Sequence, residues 1–449
     1  MSSEASKKHL SSSQIILLGF SGVILAGCFL LMLPFSKAGN GSATFMEALF
    51  TSTSAVCVTG LVVQDTATYW SMFGQLIILL LIQIGGMGVV TIAVSIGMIS
   101  GRKISLMQRS TMQETIAAPK VGGILKLTNF ILKTTFCVEL LGACLMAPVF
   151  CKDFGLGKGI WYAIFHSVSA FCNAGFDLMG IKTPFSSLTS YVGHPVINGV
   201  ILFLIVFGGI GFLTWNDMKE NKFHLHQYRM QSKIILFSTT ILILLPVVYF
   251  YTCEFSREYW QYLTVYERLQ MSFFQSITPR TAGFNTADLT KLSESGKTIT
   301  ILLMLIGGSP GSTAGGMKTT TICVLLFSAL AVFRKKEDAG CFGRRIGMEV
   351  VRNAAAILLM YIVLVMFGAI LISSIENVPI LTCMFEAASA IGTVGLTLGI
   401  TTEIGIVSRL ILILLMFCGR VGGLTIIFAT VSNGKKNVSK MPLERVTVG

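Results

Sequence analysis

Charged side chains are scarce in this chain. Asp, Glu, Lys and Arg make up 12% of its 449 residues, whereas apolar residues make up 53%. This balance indicates an integral membrane protein and argues against a soluble enzyme. A catalytic centre is missing as well, because His166 has no acidic partners at the spacing of a catalytic triad. We therefore expect no enzymatic activity and a packing role for His166.

Paired cysteines are also lacking. The eleven cysteines are scattered, and none forms a CxxC pair or shows the spacing of metal ligands. Buried, unreactive thiols are the expected outcome. No convincing small-residue cleavage site follows the first apolar stretch, so we expect a membrane span there and not a signal peptide.

What the chain does have is long apolar runs. A helix needs about 20 such residues to cross the hydrocarbon of a membrane. Eight runs of this kind begin near Ile15, Gln75, Phe130, Pro195, Ile234, Thr298, Ala354 and Ser408. Four shorter runs lie at 45–56, 160–171, 266–277 and 380–390, and they suit half-helices that enter the membrane without crossing it. The sequence predicts an all-α membrane protein with eight spans.

The formal charge of +13 is unevenly placed. The N-terminus, the connections 100–133, 217–233 and 334–352, and the C-terminal tail carry 22 Lys and Arg against 8 acidic residues, whereas the intervening connections carry 10 against 12. By the positive-inside rule the basic set is cytoplasmic, so both termini are predicted on that side. We expect lipid headgroups, and not nucleic acid, to meet this charge.

Four short segments repeat one pattern that ends in glycine. They are Ala55-Val-Cys-Val-Thr-Gly60, Ala170-Phe-Cys-Asn-Ala-Gly175, Thr278-Pro-Arg-Thr-Ala-Gly283 and Ala390-Ile-Gly-Thr-Val-Gly395, and their glycines recur at steps of 115, 108 and 112 residues. A pattern repeated four times in apolar sequence predicts four equivalent loops around one axis. Such loops are typical of a cation pore.

These loops can replace the water shell of a cation. Rings of backbone carbonyls do so without fixed charge, glycine adopts the conformations that aim successive carbonyls at one axis, and each half-helix directs the negative end of its dipole to the centre. The predicted filter residues are Val58, Thr59, Gly60, Asn173, Ala174, Gly175, Thr281, Ala282, Gly283, Thr393, Val394 and Gly395. The last three match the Thr-Val-Gly core of potassium-channel filters. Because the loops differ in sequence, we expect an asymmetric filter.

In the third loop, Arg280 directly precedes the filter residues that begin at Thr281. A positive side chain aimed into the pore would repel cations, so we expect it to point away. An ion pair that braces the loop is the favoured role, with a carboxylate at the outer mouth as the partner. The candidate partners are Asp288, Glu47, Asp177 and Glu386.

Each quarter of the chain reads as span, half-helix, glycine-ended loop and span. The predicted units are a cytoplasmic N-terminus 1–11, pore repeats 12–100, 124–216, 233–333 and 350–431, and a cytoplasmic tail 432–449. Because each repeat has two spans, successive repeats enter the membrane in the same direction and can surround a pseudo-fourfold pore. Inverted-repeat transporters are built instead from units of opposite orientation.

The third repeat contains an interruption, the segment 307–318, in an otherwise apolar span. Its Gly, Pro and Ser residues break a helix, and the broken backbone must face protein or the pore. Just below the filter, this segment is a candidate gate. The gate residues are Gly307, Gly308, Ser309, Pro310, Gly311, Ser312, Thr313, Ala314, Gly315, Gly316 and Lys318, together with Arg420 of the last span.

Two basic residues lie at this depth. Arginine there costs about 2.5–3.5 kcal/mol on insertion scales, so Arg420 should face protein or the pore, with bracing of a neighbouring helix as the alternative. Lys318 is expected to snorkel or to cap the broken helix. A nucleotide P-loop is disfavoured, because Met317 separates Lys318 from Gly316 and no βαβ unit surrounds the segment.

With these features the chain resembles the membrane subunit of the Ktr/Trk/HKT potassium-transporter superfamily, and more narrowly a KtrB-type subunit. The resemblance rests on the four loops and on Ile84-Gly-Gly-Met-Gly88, Gly208-Gly-Ile-Gly-Phe212, Thr278-Pro-Arg-Thr-Ala-Gly-Phe-Asn285 and Cys418-Gly-Arg-Val-Gly-Gly423. No further pair of spans precedes the first repeat, which favours the KtrB type over the TrkH type. A serine in place of the first filter glycine is associated with sodium selectivity in this superfamily, so Gly60 implies potassium.

The resemblance implies a potassium uptake subunit of the bacterial plasma membrane, with 307–318 as its gate and Arg420 as a positive charge beneath the filter. It implies a homodimer with one pore per protomer, bound to a cytoplasmic ring of KtrA-type nucleotide-binding subunits. No cofactor or metal is expected on this chain beyond K+, the transported ion, in the filter. Nucleotide would act through the partner, and stimulation by sodium fits the resemblance.

Three other functions stay open from the sequence. The first is a sodium or sodium–potassium transporter of the same fold. The second is a secondary carrier for a small cationic solute, against which the lack of acidic residues at mid-membrane depth counts. The third is a nucleotide-dependent enzyme, which ATP binding to the purified chain would reveal.

Overall fold

The computed structural model describes residues 11–101, 103–117, 120, 122–181 and 183–430. Within these ranges, α-helices joined by short turns and one small hairpin form the regular structure. One order of elements recurs four times along the chain: a long helix, a short helix, a loop with a glycine at its end, and a broken helix. The four stretches with this order are called segments 1 to 4 below.

Segments 1 and 2 both end in a helix that bends sharply at a single glycine. Segment 1 contains α1 (Ser12–Leu31), α2 (Phe45–Val56), α3 (Met72–Met87) and α4 (Val89–Ile99), and α5 (Leu106–Ile116) follows it. Segment 2 contains α6 (Ile124–Phe154), α7 (Leu156–Phe171), α8 (Pro195–Ile210) and α9 (Phe212–Asn221). The bend is 95° between α3 and α4 and 94° between α8 and α9.

Segment 3 has a longer break in its last helix. It contains α10 (Met230–Tyr249), which continues as a π-helical turn over Phe250–Glu254, then α11 (Val265–Ile277), α12 (Glu294–Leu305) and α13 (Thr319–Phe333). The hairpin β1 (Gly340–Cys341) and β2 (Arg344–Arg345) leads to segment 4. Segment 4 contains α14 (Met348–Glu376), α15 (Ile380–Ile391), α16 (Ile406–Val421) and α17 (Gly423–Thr430).

Local sequence explains where several helices begin. Ser11 and Gln14 form a capping box at α1, and Thr44 and Glu47 form the same arrangement at α2. Thr264 and Glu267 repeat it at α11. The short helices α2, α11 and α15 match the predicted half-helices within one residue. α7 begins four residues before the predicted 160, because Gly155, with φ of 80°, joins it directly to α6.

Among the residues that the structure describes, four helices are long and apolar enough to cross a membrane: α1, α6, α10 with its π-helical extension, and α14. The number rises to six when each bent pair counts as one span. The predicted count of eight is thus not reached by length alone. The reason is physical: the last helices of segments 3 and 4 are divided into shorter pieces, α12 with α13 and α16 with α17.

The short helices lie in the interior. One continuous cluster of buried apolar residues runs through all four segments and includes the inner faces of α2, α7, α11 and α15. The long helices, by contrast, expose large apolar side chains, such as Phe29 on α1 and Leu140 on α6. This is the distribution expected of a protein surrounded by lipid, which solvates apolar surface.

Candidate functional site

The four glycine-ended loops share one backbone conformation. Val58, Asn173, Thr281 and Thr393 have positive φ of 57°, 58°, 72° and 51°, and the glycine two residues later is also positive in each loop, at 87°, 69°, 82° and 92°. The residue between them is not. A left-handed conformation costs a residue with a Cβ roughly 1–2 kcal/mol. Four copies of the same strained alternation indicate one shared purpose.

The loops meet in a closed ring. A Cβ built on Gly60 would lie 2.4 Å from the Ala174 carbonyl oxygen, and one on Gly175 would lie 2.7 Å from that of Ala282. Likewise, a Cβ on Gly283 would lie 2.4 Å from the Val394 carbonyl oxygen. One on Gly395 would lie 2.2 Å from the carbonyl oxygen of Thr59, which closes the series at the first loop. Each loop thus touches the next through glycine against carbonyl, in chain order, with no room for a methyl group. The structure brings together all twelve predicted filter residues.

Hydroxyl groups from the short helices hold these loops in place. Ser54 and Ser389 accept hydrogen bonds from the backbone N–H of Gly60 and Gly395, at 3.0 and 3.1 Å. Ser169 instead donates to the carbonyl of Phe176, at 2.7 Å. Sequence reasoning missed these serines. The signal was available, because a serine stands six residues before the loop glycine in segments 1, 2 and 4.

Segment 3 departs from this pattern. Ile277 occupies the serine position, and the neighbouring Thr278 hydroxyl donates to the carbonyl of Phe284. The Asn173 amide of the second loop lies 3.1 Å from the Thr281 hydroxyl, a side-chain contact between neighbouring loops. The ring is therefore asymmetric in its side chains although its backbone repeats.

The prediction that Arg280 forms an ion pair with a carboxylate is wrong. Arg280 is buried and donates to the Thr239 hydroxyl at 3.4 Å, and no ion pair among the described residues includes it. All four candidate carboxylates are engaged elsewhere: Asp288 accepts from Thr290, Glu47 from Thr44, Asp177 from the backbone N–H of Met179, and Glu386 from Thr397 and Thr401. Arg280 does point away from the ring, towards α10.

Glu47 lies in the first turn of α2. Burial opposes its ionisation, but hydrogen bonds from Thr44, Tyr69 and Gln64 outweigh this effect and lower its pKa to about 2. The carboxylate is therefore ionised at neutral pH.

The interrupted segment 307–318 lies directly against the ring. A Cβ on Gly315 would meet the Thr393 hydroxyl at 2.1 Å, and one on Gly316 would meet the Gly392 carbonyl at 2.8 Å. The Thr313 hydroxyl donates to the carbonyl of Phe171, the last residue of α7, at 3.0 Å. The segment therefore reaches the base of both the second and the fourth loop.

Backbone hydrogen bonds fix the same segment to two broken helices. Ser309 N–H donates to the Gly209 carbonyl at 3.0 Å, and Phe212 N–H donates to the Gly311 carbonyl at 2.7 Å, both at the bend between α8 and α9. Gly316 N–H donates to the Gly419 carbonyl of α16 at 3.2 Å. Gly307 and Gly308 pack within the segment, against Gly315 and Ala314.

Arg420 holds three parts of the molecule together. It donates to the carbonyl of Thr313 in the interrupted segment and to those of Gly85 and Gly86 at the end of α3, the last at 3.1 Å. Lys318 donates to the Ala314 and Gly315 carbonyls at 2.8 and 3.2 Å, so it binds backbone of the interrupted segment and not the end of a helix. In the described part of the chain neither side chain forms an ion pair. Both basic side chains thus line a cavity of about 160 Å³ next to the interrupted segment.

One contact of the interrupted segment was not foreseen. A Cβ on Gly311 would lie 2.3 Å from the carbonyl oxygen of Ile116, the last residue of α5. No sequence signal indicates this contact, because α5 lies outside the four repeated units.

His166 is buried, with Nδ1 2.7 Å from the Tyr162 carbonyl and Nε2 accepting from Leu178 N–H at 3.3 Å, which confirms a packing role. Among the residues that the structure describes, no group of three or more His, Cys, Asp or Glu could hold a metal ion.

Known proteins match this chain over nearly its whole length. A protein-family model described as TrkH, cation transport protein, matches residues 20–440. The potassium/sodium uptake protein NtpJ of Enterococcus hirae is 39% identical over 99% of this chain and 98% of its own length. The Ktr system potassium uptake protein B of Bacillus subtilis is 38% identical over 95% of this chain and 94% of its own.

A solved structure agrees with this assignment at the level of fold. The potassium transporter TrkH from Vibrio parahaemolyticus superimposes with a TM-score of 0.73, at 17% sequence identity, over 96% of this chain and 87% of that chain. The helical architecture described above is therefore that of a TrkH-type transporter.

Proposed function

The chain belongs to the TrkH family of cation transport proteins, a family of transporters and not of enzymes, and we propose that it is the ion-conducting membrane subunit of a potassium uptake system. The observation that carries the proposal is the closed ring of four loops, each glycine in contact with the carbonyl of the next loop. Two relatives named for potassium uptake, at 38% and 39% identity over nearly the whole chain, support it.

In this proposal the ring is the selectivity filter. Successive carbonyls of Val58–Gly60, 173–175, 281–283 and 393–395 replace the water around K+. The C-terminal ends of α2, α7, α11 and α15 point their negative dipole ends at the ion. No nucleotide hydrolysis by this chain is needed, because the membrane potential supplies about 2.3 kcal/mol per charge per 100 mV.

The membrane arrangement is part of the proposal. Each segment crosses twice, so that pore repeats 12–100, 124–216, 233–333 and 350–431 give eight spans, with the termini 1–11 and 432–449 in the cytoplasm of a bacterial cell. The recurrence of the same order of helices in all four segments supports this count. Backbone that is not helical at such depth is tolerated where it faces protein or a cavity.

The segment 307–318, together with Arg420, is proposed as the gate. Its support is its position against the ring and the positive charge beside the cavity below it. The contact between Gly311 and the end of α5 offers a route from the cytoplasmic connection to the gate.

We place this subunit in a homodimer with one pore per protomer, on a cytoplasmic ring of KtrA-type nucleotide-binding subunits. The basic connections 217–233 and 334–352 and the C-terminal tail are the proposed docking surfaces for this ring. Nucleotide then acts through the partner, K+ is the ion carried, and Na+ is a candidate activator.

Rescue of a potassium-uptake-deficient bacterium at limiting K+ tests the filter. Wild type should restore growth, whereas Gly60→Ser should impair preference for K+, because its side chain would meet the Ala174 carbonyl. Growth and ion preference that are unaffected by Gly60→Ser would count against the filter assignment.

A sodium–potassium transporter of the same fold is the second candidate, and the printed name of the Enterococcus relative favours it. Competition of Na+ with Rb+ in uptake assays separates the two. Strong competition at equal concentrations supports the mixed transporter, and weak competition supports potassium.

A further inference from the structure

A cleft of about 740 Å³ opens between α10, α13 and the hairpin β1–β2. Phe237, Phe327 and Leu330 form its apolar wall. Phe237 and Leu330 are 55% and 46% exposed, so the wall continues the apolar outer face of the two helices. Phe237 lies about 10 Å along α10 from its first residue, Met230. The wall therefore covers the first turns of α10 and the last turns of α13, on the side of the hairpin.

The rim of the same cleft is basic. Arg334, Lys336, Arg344 and Arg345 line it, and all four are exposed. Asp338 is the acidic residue in the lining, and it pairs with Arg345 at 3.2 Å. Arg334, Lys336 and Arg344 take part in none of the ion pairs found in the described ranges. Three positive charges thus face the opening without a carboxylate partner.

The tip of the hairpin adds an exposed aromatic ring. Phe342 and Gly343 connect the two strands, both with positive φ, at 48° and 72°, as a type I′ turn requires. Asn or Gly is the usual residue at the first of these positions, and phenylalanine there is strained. The Phe342 ring is 51% exposed and lies 6.5 Å from that of Phe237. The strained tip places this ring beside the apolar wall.

From these three features we infer that the cleft binds an anionic phospholipid. Arg334, Lys336 and Arg344 hold the headgroup phosphate, and the acyl chains lie along Phe237 and Leu330. Free phosphate would leave the apolar wall and the aromatic tip unused, which is why a membrane lipid fits better. The inference rests on the membrane orientation given under the proposed function. It assigns this part of the connection 334–352 to lipid and leaves 217–233, the C-terminal tail and the rest of 334–352 to the regulatory ring. It also concerns the proposed gate, because α13 begins directly after the segment 307–318.

Native mass spectrometry of the full chain in detergent, with added dioleoylphosphatidylglycerol, tests this site. Each Lys or Arg near an anionic headgroup contributes about fivefold, or ~1 kcal/mol, to binding. The double variant Lys336→Gln, Arg344→Gln should therefore bind this lipid roughly thirtyfold more weakly. Lys103→Gln with Lys222→Gln removes the same charge from exposed residues outside the cleft, and it should bind like wild type.

Two further measurements separate the parts of the site. Phe237→Ala should weaken dioleoylphosphatidylglycerol and dioleoylphosphatidylcholine alike, because it removes acyl contact, and it supplies the test if the charge variant does not fold. Excess inorganic phosphate should not displace the bound lipid.

Several outcomes would overturn the inference. They are an unchanged affinity in Lys336→Gln, Arg344→Gln, an equal loss in the Lys103 and Lys222 control, equal binding of the two lipids by wild type, or displacement by phosphate. Retained lipid binding combined with lost binding of a cytoplasmic regulatory ring would assign the cleft to that protein instead. Lipid binding is measured without ion flux, so its failure leaves the proposal of potassium transport standing.

Discussion

The broken last helices of the four segments differ more than the four loops do. In segments 1, 2 and 4 a single glycine makes the break: Gly88, Gly211 and Gly422 have φ of 87°, 99° and 89°. In segment 3 the residues 306–318 separate α12 from α13. The loops above these breaks, in contrast, repeat one backbone in all four segments.

This contrast separates two physical tasks. A ring of carbonyls needs four matching contributions, because each loop glycine is in contact with its neighbour and a change in one displaces the next. A movable part needs to be present once. The extended break of segment 3 contacts Gly209 of segment 2, Gly419 of segment 4 and Ile116 of α5. In the proposed function, this one segment therefore blocks the path below the ring for all four segments.

The strongest test of the ring of four matching loops is Gly395→Ala. Its Cβ would lie 2.2 Å from the Thr59 carbonyl oxygen, so the ring must open or tilt. We expect Rb+ uptake into proteoliposomes to fall by roughly 100-fold or more, which corresponds to about 2.7 kcal/mol of lost ion stabilisation.

Gly399→Ala is its matched control. Gly399 also has positive φ, of 99°, but no atom lies within 4 Å of its added Cβ. Both variants carry similar backbone strain, and they differ in contact with the ring. Equal uptake by the two would contradict the idea that the glycines are needed for close approach.

Arg420→Ala tests the interrupted segment 307–318, which is present once. Removal of this side chain deletes a positive charge beneath the ring and the hydrogen bonds to Thr313, Gly85 and Gly86. We expect Rb+ flux to rise about tenfold, equivalent to ~1.4 kcal/mol, since hydrogen bonds from charged donors contribute about 1.5–3 kcal/mol each and part of this is recovered by water.

Arg409→Ala serves as the comparison on the same helix. Arg409 is half-buried like Arg420 and donates to the Thr402 carbonyl at 3.0 Å, far along α16 from the interrupted segment. Its flux should equal that of wild type. The Arg420→Ala variant should first elute like wild type in size-exclusion chromatography. If its flux is then unchanged or lower, Arg420 braces the fold without restricting ions.

The four matching loops and the short helices before them were predicted well from the sequence. Four glycines at near-equal spacing and the short apolar runs before them were enough to anticipate α2, α7, α11 and α15 and the loops after them, because the repeat multiplies a weak local signal. It also indicated where segment 3 is interrupted, since Gly, Pro and Ser are dense there.

Contacts between segments were harder to anticipate. The expected partner of Arg280 was a carboxylate, yet most candidate acids cap their own helix or loop, and Arg280 is left with the Thr239 hydroxyl. Likewise, the single-glycine bends at Gly88, Gly211 and Gly422 follow from tertiary packing. A glycine in an apolar run is compatible with a straight helix, so local sequence alone does not reveal a bend.

The smallest expected effect concerns the border between the two kinds of break. A Cβ on Gly211 would lie 2.8 Å from the Pro310 carbonyl of the interrupted segment, whereas one on Gly422 meets nothing closer than Thr425 Oγ1 at 3.8 Å. Both glycines have strongly positive φ, so alanine at either position adds similar backbone strain, roughly 1–2 kcal/mol. The midpoint temperatures of thermal unfolding of the two variants should therefore shift by similar amounts. Only Gly211→Ala should raise Rb+ flux, by about two- to threefold, or ~0.5 kcal/mol. An equal rise in Gly422→Ala would mean that any bend, and not the contact with the interrupted segment, controls the opening of the path.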